Sequence, residues 1–344
     1  MQETRLDTAR IRAARQMIDP LFLDTPLYLC EALEPDLGCA VSIKLETANP
    51  VRSFKARGTE VVTGLLAANG SRAAVCASAG NLGQALAWSG RDRGLDITVV
   101  ASRFAPAAKL ERIRALGAGL ELVDGDFDMA RERAADIARH EGVRLVEDSL
   151  DIETCEGAAT IGLELVDAAP SFDAVLVALG GGALATGVGH VVKALAPGVE
   201  VICVQPLGAP AMTRSWRQRR VVTTDSTDTI ADGVAGRVPS RRSWTTSCWW
   251  PTTPCWSRRR RSSPVCGCSS TARASSSNRR PRSASRRSWR TVTASPACTW
   301  PPSCAAATST STPITAGSAR PPSANPEACP SPTPAVPSAG RRTW

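Results

Sequence analysis

Three observations predict an α/β fold of two lobes, with doubly wound sheets and helices on both faces. Short apolar runs alternate with segments of helical period, strand ends lead into helices through small-residue turns, and the alternation stops near residue 240. VSIKLE (41–46) reads as a strand, and a helix is predicted from Ser53 to Ala68, stopped by Asn69-Gly70. AAVCAS (73–78) reads as a buried strand, NLGQALAWSGRDRG (81–94) as an amphipathic helix and DITVVA (96–101) as a second strand, followed by a helix from Pro106 to Leu116. LELV, a helix through Ile137, RLVED and a helix from Glu156 to Val166 continue the exchange. DAVLVAL (173–179), a helix from Leu184 to Leu195 and VEVICVQ (199–205) complete it. About nine strand-helix units are generous for one open sheet, so two lobes with a cleft between them are expected.

Charge divides at the same place. Residues 1–240 hold 25 Lys+Arg against 31 Asp+Glu, a balance of −6, while residues 241–344 hold 16 Arg against the single acid Glu327, a balance of +15. The net +9 of the whole chain therefore belongs to its tail. All 26 leucines lie in the first block, and Val265, Val292, Val336 and Ile314 are the only branched aliphatics of the last 104 residues. Such a tail cannot bury a core of its own and is expected to be disordered.

No run of eighteen apolar residues exists, and MQETRLDTAR lacks the order of a signal peptide, so a soluble, cytoplasmic protein without a membrane partner is expected. Cys30, Cys39, Cys76, Cys155 and Cys203 sit mostly within apolar runs, which suits reduced core thiols. In the tail, Cys266 and Cys268 are one residue apart and no histidine follows them, so no metal site is expected.

In open α/β sheets, ligands lie beyond the C-terminal ends of strands, where loops enter helix N-termini. Three such junctions carry distinctive chemistry. In KLETANPVRSFKARG, Lys55 falls in a first helical turn with Ser53 as candidate N-cap. The dipole and burial there favour the neutral amine, a nucleophile able to form a Schiff base; a solvated surface lysine is the competing reading. Only Lys44, Lys55, Lys109 and Lys193 occur in a chain that otherwise uses arginine. In SAGNLGQALAW (78–88), Asn81 opens a helix whose free N–H groups suit a carboxylate, unless Asn81 is simply its cap. In ALGGGALATGVG (178–189), the successive N–H groups of Gly180, Gly181, Gly182, Ala183 and Leu184 can form a nest for a phosphate dianion. The G-x-G-x-x-G spacing of a dinucleotide site is absent, and a tight turn without ligand is the alternative.

In this order and spacing the three motifs resemble the β-family, or fold type II, of pyridoxal-phosphate enzymes, and within it threonine/serine dehydratases and serine racemases. The resemblance runs from Thr25-Pro26-Leu27 through SFKARG to ADGVAGRVP (231–239). It implies a tryptophan synthase β-like fold, with residues 1–66 and 155–239 in a large cofactor-binding lobe and residues 67–154 in a small one. It implies pyridoxal 5′-phosphate carried on Lys55, Asn81 beside the ring 3-hydroxyl, and the phosphate on Gly180 to Leu184. Ser78, Ala79, Gly80 and Asn81 would hold the substrate carboxylate, and neutral Lys55 would remove the Cα proton. The implied reaction is β-elimination of L-threonine or L-serine to a 2-oxo acid and ammonia, by a homodimer. Ala79 stands where racemases of the group use a serine as second acid/base, which favours elimination over racemisation. Leu82 replaces a frequent histidine, and Gln205 replaces a glutamate that contributes to a divalent-cation site, which puts metal stimulation in doubt. Ala183 replaces a glycine, tolerable only with φ below zero.

Beyond residue 239 the resemblance ends. Read in the frame that takes the last base of one codon and the first two of the next, the segment from Ser240 becomes PEVLDDLLLVADDAVLVEEA, a reconstruction that is leucine-rich and amphipathic. A frameshift between about Ala235 and Ser240 is therefore expected, and with it an incomplete large lobe with an exposed apolar face and an unstable or inactive product. The rival readings are a serine racemase, a β-replacement enzyme of the same fold, or a non-catalytic relic whose Arg258–Arg261 run contacts nucleic acid; the −6 of the first block speaks against nucleic acid.

Overall fold

The computed structural model describes residues 5–168 and 172–239, and the backbone of 255–257. All of these belong to the compact unit Met1–Ser311; the second unit, Thr312–Trp344, holds none of them. In chain order the elements are α1 (Thr8–Met17), β1 (Leu27–Leu29), α2 (Glu34–Leu37), β2 (Ser42–Lys44), α3 (Lys55–Ala68), β3 (Ala73–Ala77), α4 (Asn81–Asp92), β4 (Asp96–Ser102) and α5 (Ala107–Ala115). They continue with β5 (Gly119–Val123), α6 (Phe127–Glu141), β6 (Arg144–Leu145), α7 (Ile152–Ala168), β7 (Ala174–Ala178), α8 (Ala183–Leu195), β8 (Glu200–Pro206), α9 (Ala211–Gln218) and β9 (Cys255–Ser257).

The chain folds as the expected α/β protein with parallel sheets. One sheet has the order β5-β4-β3-β6, a second the order β7-β8-β9, and every pairing in both is parallel. In the four-stranded sheet the period-2 alternation of a strand divides a continuous apolar run between two faces. Ala74, Cys76, Ile97 and Val99 pack beneath Leu82 and Leu86 of α4 and Ile113 of α5. Val75, Ala77 and Val100 point the other way, onto Ala130, Ala134 and Ile137 of α6. Asp126 caps α6 by accepting from Asp128 N and Met129 N, and Gly142 ends it at φ 67°.

In the second sheet, Val177, Leu179, Val201 and Cys203 pack against Ile161 of α7 and Leu184, Val188 and Val192 of α8. Small residues let α7 reach α3 closely: a Cβ on Gly58 would lie 2.8 Å from Thr154 Cα, and one on Gly157 would lie 2.4 Å from the Arg57 carbonyl oxygen. That contact sets the height of α3, and with it Lys55, against the rest of the molecule.

Several elements differ from their sequence reading. VSIKLE yields only Ser42–Lys44, which pairs antiparallel with Leu27–Leu29 in a separate ribbon, because neither run is long or apolar enough to be buried on both faces. Helices α1 and α9 were not read at all; both are short and polar, and their apolar positions are few. Helix α7 begins at Ile152, before the expected Glu156. In the tail, which was read as without structure, Cys255–Ser257 lies as a strand on β8. The expected exposed face of the large lobe is also not found at β8, where Ile202 and Val204 are buried beside Ala174 and Leu176. The expectations for Cys266, Cys268, Arg258–Arg261 and the rest of 240–344 fall outside the described residues. Among the described residues no helix is long and apolar enough to cross a membrane.

Candidate active site

The three junctions singled out in the sequence meet at one cavity of about 510 Å³, lined by Lys55, by Ser78 to Leu82 and by Gly180 and Gly181. Ser78–Leu82 and Gly180–Gly181 follow the C-terminal ends of the parallel strands β3 and β7, as the doubly wound geometry requires, whereas Lys55 enters from the loop after β2 of the antiparallel ribbon.

Lys55 is the first residue of α3. The turn before it is held by Asn49, whose side chain donates to the carbonyls of Glu46 (2.8 Å) and Ser53 (3.3 Å) and accepts from Ser53 N (3.4 Å). Ser53 Oγ accepts from Lys55 N at 3.2 Å, but the cap position is Phe54, one residue later than expected. Phe54 is buried, and Lys55 Nζ lies 4.5 Å from its ring centroid. Nζ donates to Asp148 Oδ2 at 2.5 Å. Behind the turn, Arg57 is fully buried and bonds to both Glu46 and Glu164, and Lys44 Nζ lies 2.5 Å from Glu164 Oε2.

The Ser78–Asn81 turn ends β3. Asn81 is not an N-cap: the cap is Gly80, which has no side chain to offer, so no side chain satisfies the first-turn N–H groups of α4. Ser78 Oγ instead accepts from Gly80 N at 3.2 Å. Close packing fixes this turn, since a Cβ on Gly83 would stand 2.1 Å from the Ser78 carbonyl oxygen. An uncapped helix start facing a cavity suits a carboxylate.

The glycine loop leaves β7 and enters α8 through Gly182, whose φ of 111° is the left-handed conformation glycine permits. Again no side chain caps the helix. Ala183 keeps φ below zero, since among the described residues only Asp24, Arg52 and Arg219 are non-glycine residues at positive φ. Gly180 and Gly181 line the cavity; Gly182, Ala183 and Leu184 are not part of its lining, and the Ala183 and Leu184 side chains are buried in the core. A Cβ on Gly180 would lie 2.9 Å from the Gly233 carbonyl oxygen, and one on Gly181 would lie 3.1 Å from Ser149 Oγ.

Sequence reasoning missed the far walls. Asp148 and Ser149 follow β6, and the same rule about strand C-termini that flagged the other junctions applied to RLVED. The ADGVAGRVP motif gives no sign in sequence of its place: Asp232, Gly233 and Ala235 to Pro239 form one side of the cavity. Lys109 of α5 pairs with Asp232, and Arg237 pairs with Asp126 (2.9 Å) and Asp128 (3.3 Å) at the start of α6. Arg131, also on the wall, pairs with Glu147 at 2.8 Å.

Gln205 is spent on structure: its Oε1 accepts from both N (2.9 Å) and Oγ1 (2.7 Å) of Thr213 in the first turn of α9. The five cysteines of the first block are free thiols. Burial pushes Cys76 and Cys155 up to about 12, so neither is a nucleophile near neutral pH.

With this geometry in view, the comparisons define the class. The chain belongs to the pyridoxal-phosphate dependent enzyme family, whose profile matches residues 18–247. It is 34% identical over 230 residues to L-threonine ammonia-lyase of Thermotoga maritima, a match covering 67% of this chain and 57% of that protein. It is 32% identical over 243 residues to a putative threonine dehydratase of Sinorhizobium fredii, covering 70% and 73% of the two chains. The structure of maize serine racemase superposes with a TM-score of 0.69 at 26% identity, over 73% of this chain and 76% of that one. The match thus spans little more than half the length of the Thermotoga protein.

The residues present fit pyridoxal phosphate. The cavity holds an amine, the uncapped start of α4 and a glycine-lined cradle, leading to the uncapped α8, that side chains at 180 and 181 would fill. It also holds an unmet polar atom, the buried Asp148 Oδ1.

Proposed function

We propose that this chain catalyses β-elimination of a hydroxy amino acid, L-threonine or L-serine, giving a 2-oxo acid and ammonia. The observation that carries the reading is the convergence of Lys55, the uncapped Ser78–Asn81 turn and the glycine loop on one cavity. Lys55 would hold pyridoxal phosphate through Nζ, Asn81 would contact its ring hydroxyl, and the N–H groups of Gly180 to Leu184 would hold its phosphate. When bound, the cofactor supplies an electron sink for the pair left at Cα. The substrate carboxylate would rest on the turn formed by Ser78, Ala79, Gly80 and Asn81, which orients the Cα–H bond toward Lys55. Neutral Nζ then takes the Cα proton as general base. The methyl group of Ala79 cannot deliver a proton to the opposite face, which favours elimination over the racemisation named for the maize neighbour.

Residues 1–66 with 155–239 are read as the large lobe and residues 67–154 as the small one, in a cytoplasmic homodimer, on the strength of the family resemblance. Residues 240–344 are read as out of frame, and the reaction of the chain as written is expected to be impaired for that reason. The mass of the C-terminal peptide, set against the nucleotide sequence of codons 235–240, tests the frame.

The function is tested by adding pyridoxal phosphate to the full chain, reducing with borohydride and mapping the modified peptide, alongside assays of 2-oxo acid and ammonia from threonine and serine. Modification at Lys55 with elimination supports the reading. Modification at other lysines, or none, overturns it.

A further inference from the structure

Of the three non-glycine residues at positive φ, Arg219 closes α9, where a left-handed residue is a usual stop, and the short side chain of Asp24 tolerates that conformation. Arg52, at φ 58°, has neither reason. Its side chain is exposed and has no hydrogen-bond or ion-pair partner among the described residues. It stands three residues before Lys55.

We propose that Asn49 is a positioning residue of the active site: it holds Arg52 in the left-handed conformation, and through that turn it sets the place from which Lys55 reaches the cavity. The inference rests on Lys55 as the cofactor lysine of the function proposed above. It concerns the backbone that carries Lys55, so it applies alike whether Nζ is free or bonded to the cofactor.

Asn49 reaches both peptides that flank Arg52. Its backbone carbonyl accepts from Arg52 N at 2.9 Å, and its side-chain Oδ1 accepts from Ser53 N at 3.4 Å. Successive N–H groups that converge on one side are the geometry a left-handed residue gives. Nδ2 fixes the amide by donating to the Glu46 carbonyl at 2.8 Å and the Ser53 carbonyl at 3.3 Å. Only this orientation meets all three neighbours, because the reverse sets the NH2 group against an N–H and the oxygen against two carbonyls. Glu46 is fully buried and its carboxylate is bound by Arg57, so the amide hangs from the buried ion cluster.

Packing explains why the chain turns so sharply. Val51 is buried in the cluster of Phe22, Ala56 and Val61, and Ser53 on the other side of Arg52 is also buried. Both neighbours face inward and Arg52 is left outside. Ser53 Oγ then accepts from Lys55 N at 3.2 Å, which passes the direction of the turn to the first residue of α3. Arg112 of α5 also touches this loop, but at the Pro50 carbonyl (3.0 Å), one peptide before those that flank Arg52. A left-handed arginine is strained, and it leaves that conformation once its restraint is removed.

The test uses the full chain. Amide hydrogen exchange at Lys55 is read without cofactor, and the rate at which borohydride fixes pyridoxal phosphate on Lys55 is read with it. Asn49→Ala is expected to speed exchange about tenfold and to slow fixation by about the same factor. Adding Arg52→Gly is expected to return both to within about threefold of the parent, because glycine keeps φ 58° without Asn49. A purely structural loss at Asn49 gives no such rescue, so a double variant as impaired as Asn49→Ala overturns the proposal. If Asn49→Ala does not fold, position 52 decides alone. Arg52→Gly and Arg52→Asn, which tolerate the left-handed region, are expected to match the parent, and the β-branched Arg52→Val to reproduce the changes of about tenfold. Equal behaviour of Arg52→Gly and Arg52→Val overturns the proposal. Should borohydride fail to fix cofactor on Lys55 of the parent, the elimination reading falls, while hydrogen exchange still reports on the turn.

Discussion

Arg57 and Glu164, 107 residues apart in the chain, face each other inside the protein with Arg57 Nη1 donating to Glu164 Oε1 at 2.5 Å and Nη2 to Oε2 at 3.0 Å. Glu46 takes the other edge of the guanidinium at 2.9 Å, and Lys44 completes the group against Glu164. Two cations and two anions thus balance beneath the first turn of α3, two residues from Lys55. A cluster like this adds little net stability over a well-packed apolar core, but it tolerates the loss of one partner poorly.

Replacing Arg57 by Met therefore leaves Glu164 paired with Lys44 and strips Glu46 of its cation, with the Thr25 hydroxyl still donating to it. The expected cost is about 3–5 kcal/mol, measured by urea unfolding of the full chain. A loss below about 1 kcal/mol would mean that water enters the cluster.

The same cluster sets an acid limit. Burial pushes the Glu164 carboxyl up, but Arg57 and Lys44 outweigh burial and hold it below the ordinary 4.5. A depressed carboxyl contributes stability that is complete above the unfolded value and is lost as pH falls through the folded one. Unfolding free energy measured between pH 6 and pH 3 is expected to fall below about pH 4.5, with Glu164→Gln flattening that part of the curve.

His190 on α8 acts in a higher window. Burial lowers its pKa from 6.5 against an opposing pull from Asp7, and its ring lies 3.5 Å from Thr8 Oγ1 of α1. Below pH 6.5 the unfolded chain binds more protons at this position than the folded one, so stability is lost as pH falls from 6.5 through the folded value. Thermal unfolding at pH 7.5 and 5.5 is expected to show this loss, and His190→Gln to reduce it.

Gly83→Ala probes the carboxylate turn. Its Cβ would meet the Ser78 carbonyl oxygen at 2.1 Å, a backbone atom that can move only with the turn. We expect a stability loss of about 1–3 kcal/mol and a raised KM for the amino acid. Unchanged values of both would show that α4 can shift without moving Ser78.

Gly182→Ala probes the phosphate loop. An L-residue at φ 111° is strained by about 1–2 kcal/mol, which the loop relieves by losing its shape. The expected outcome is weaker retention of pyridoxal phosphate on dialysis, followed by absorbance, with secondary structure by circular dichroism unchanged.

Much of this protein was legible in its residues. Short continuous apolar runs such as AAVCAS and DITVVA, bounded by turn residues, read as strands of a parallel sheet, and they lie paired in register, Ala73 opposite Asp96. Lys55, Asn81 and Gly180–Gly182 could be picked out because each stands at a strand-to-helix junction, where backbone chemistry is local and sequence-coded. What periodicity and composition could not supply was which distant side chains would meet. Asp148 reads in sequence as one acid among many, and becomes the partner of Lys55 only because Gly58 and Gly157 let α3 and α7 pack closely and the loop after β6 comes to rest beside Gly181. Arg57 carries no assignment from the sequence, yet the fold surrounds it with two carboxylates. Local motifs determined the kind of chemistry the chain can hold. Long-range packing decided which charges are buried, how they pair and what stands next to the reactive amine, because Coulomb interactions inside a protein depend on separations and burial that only the assembled tertiary structure sets.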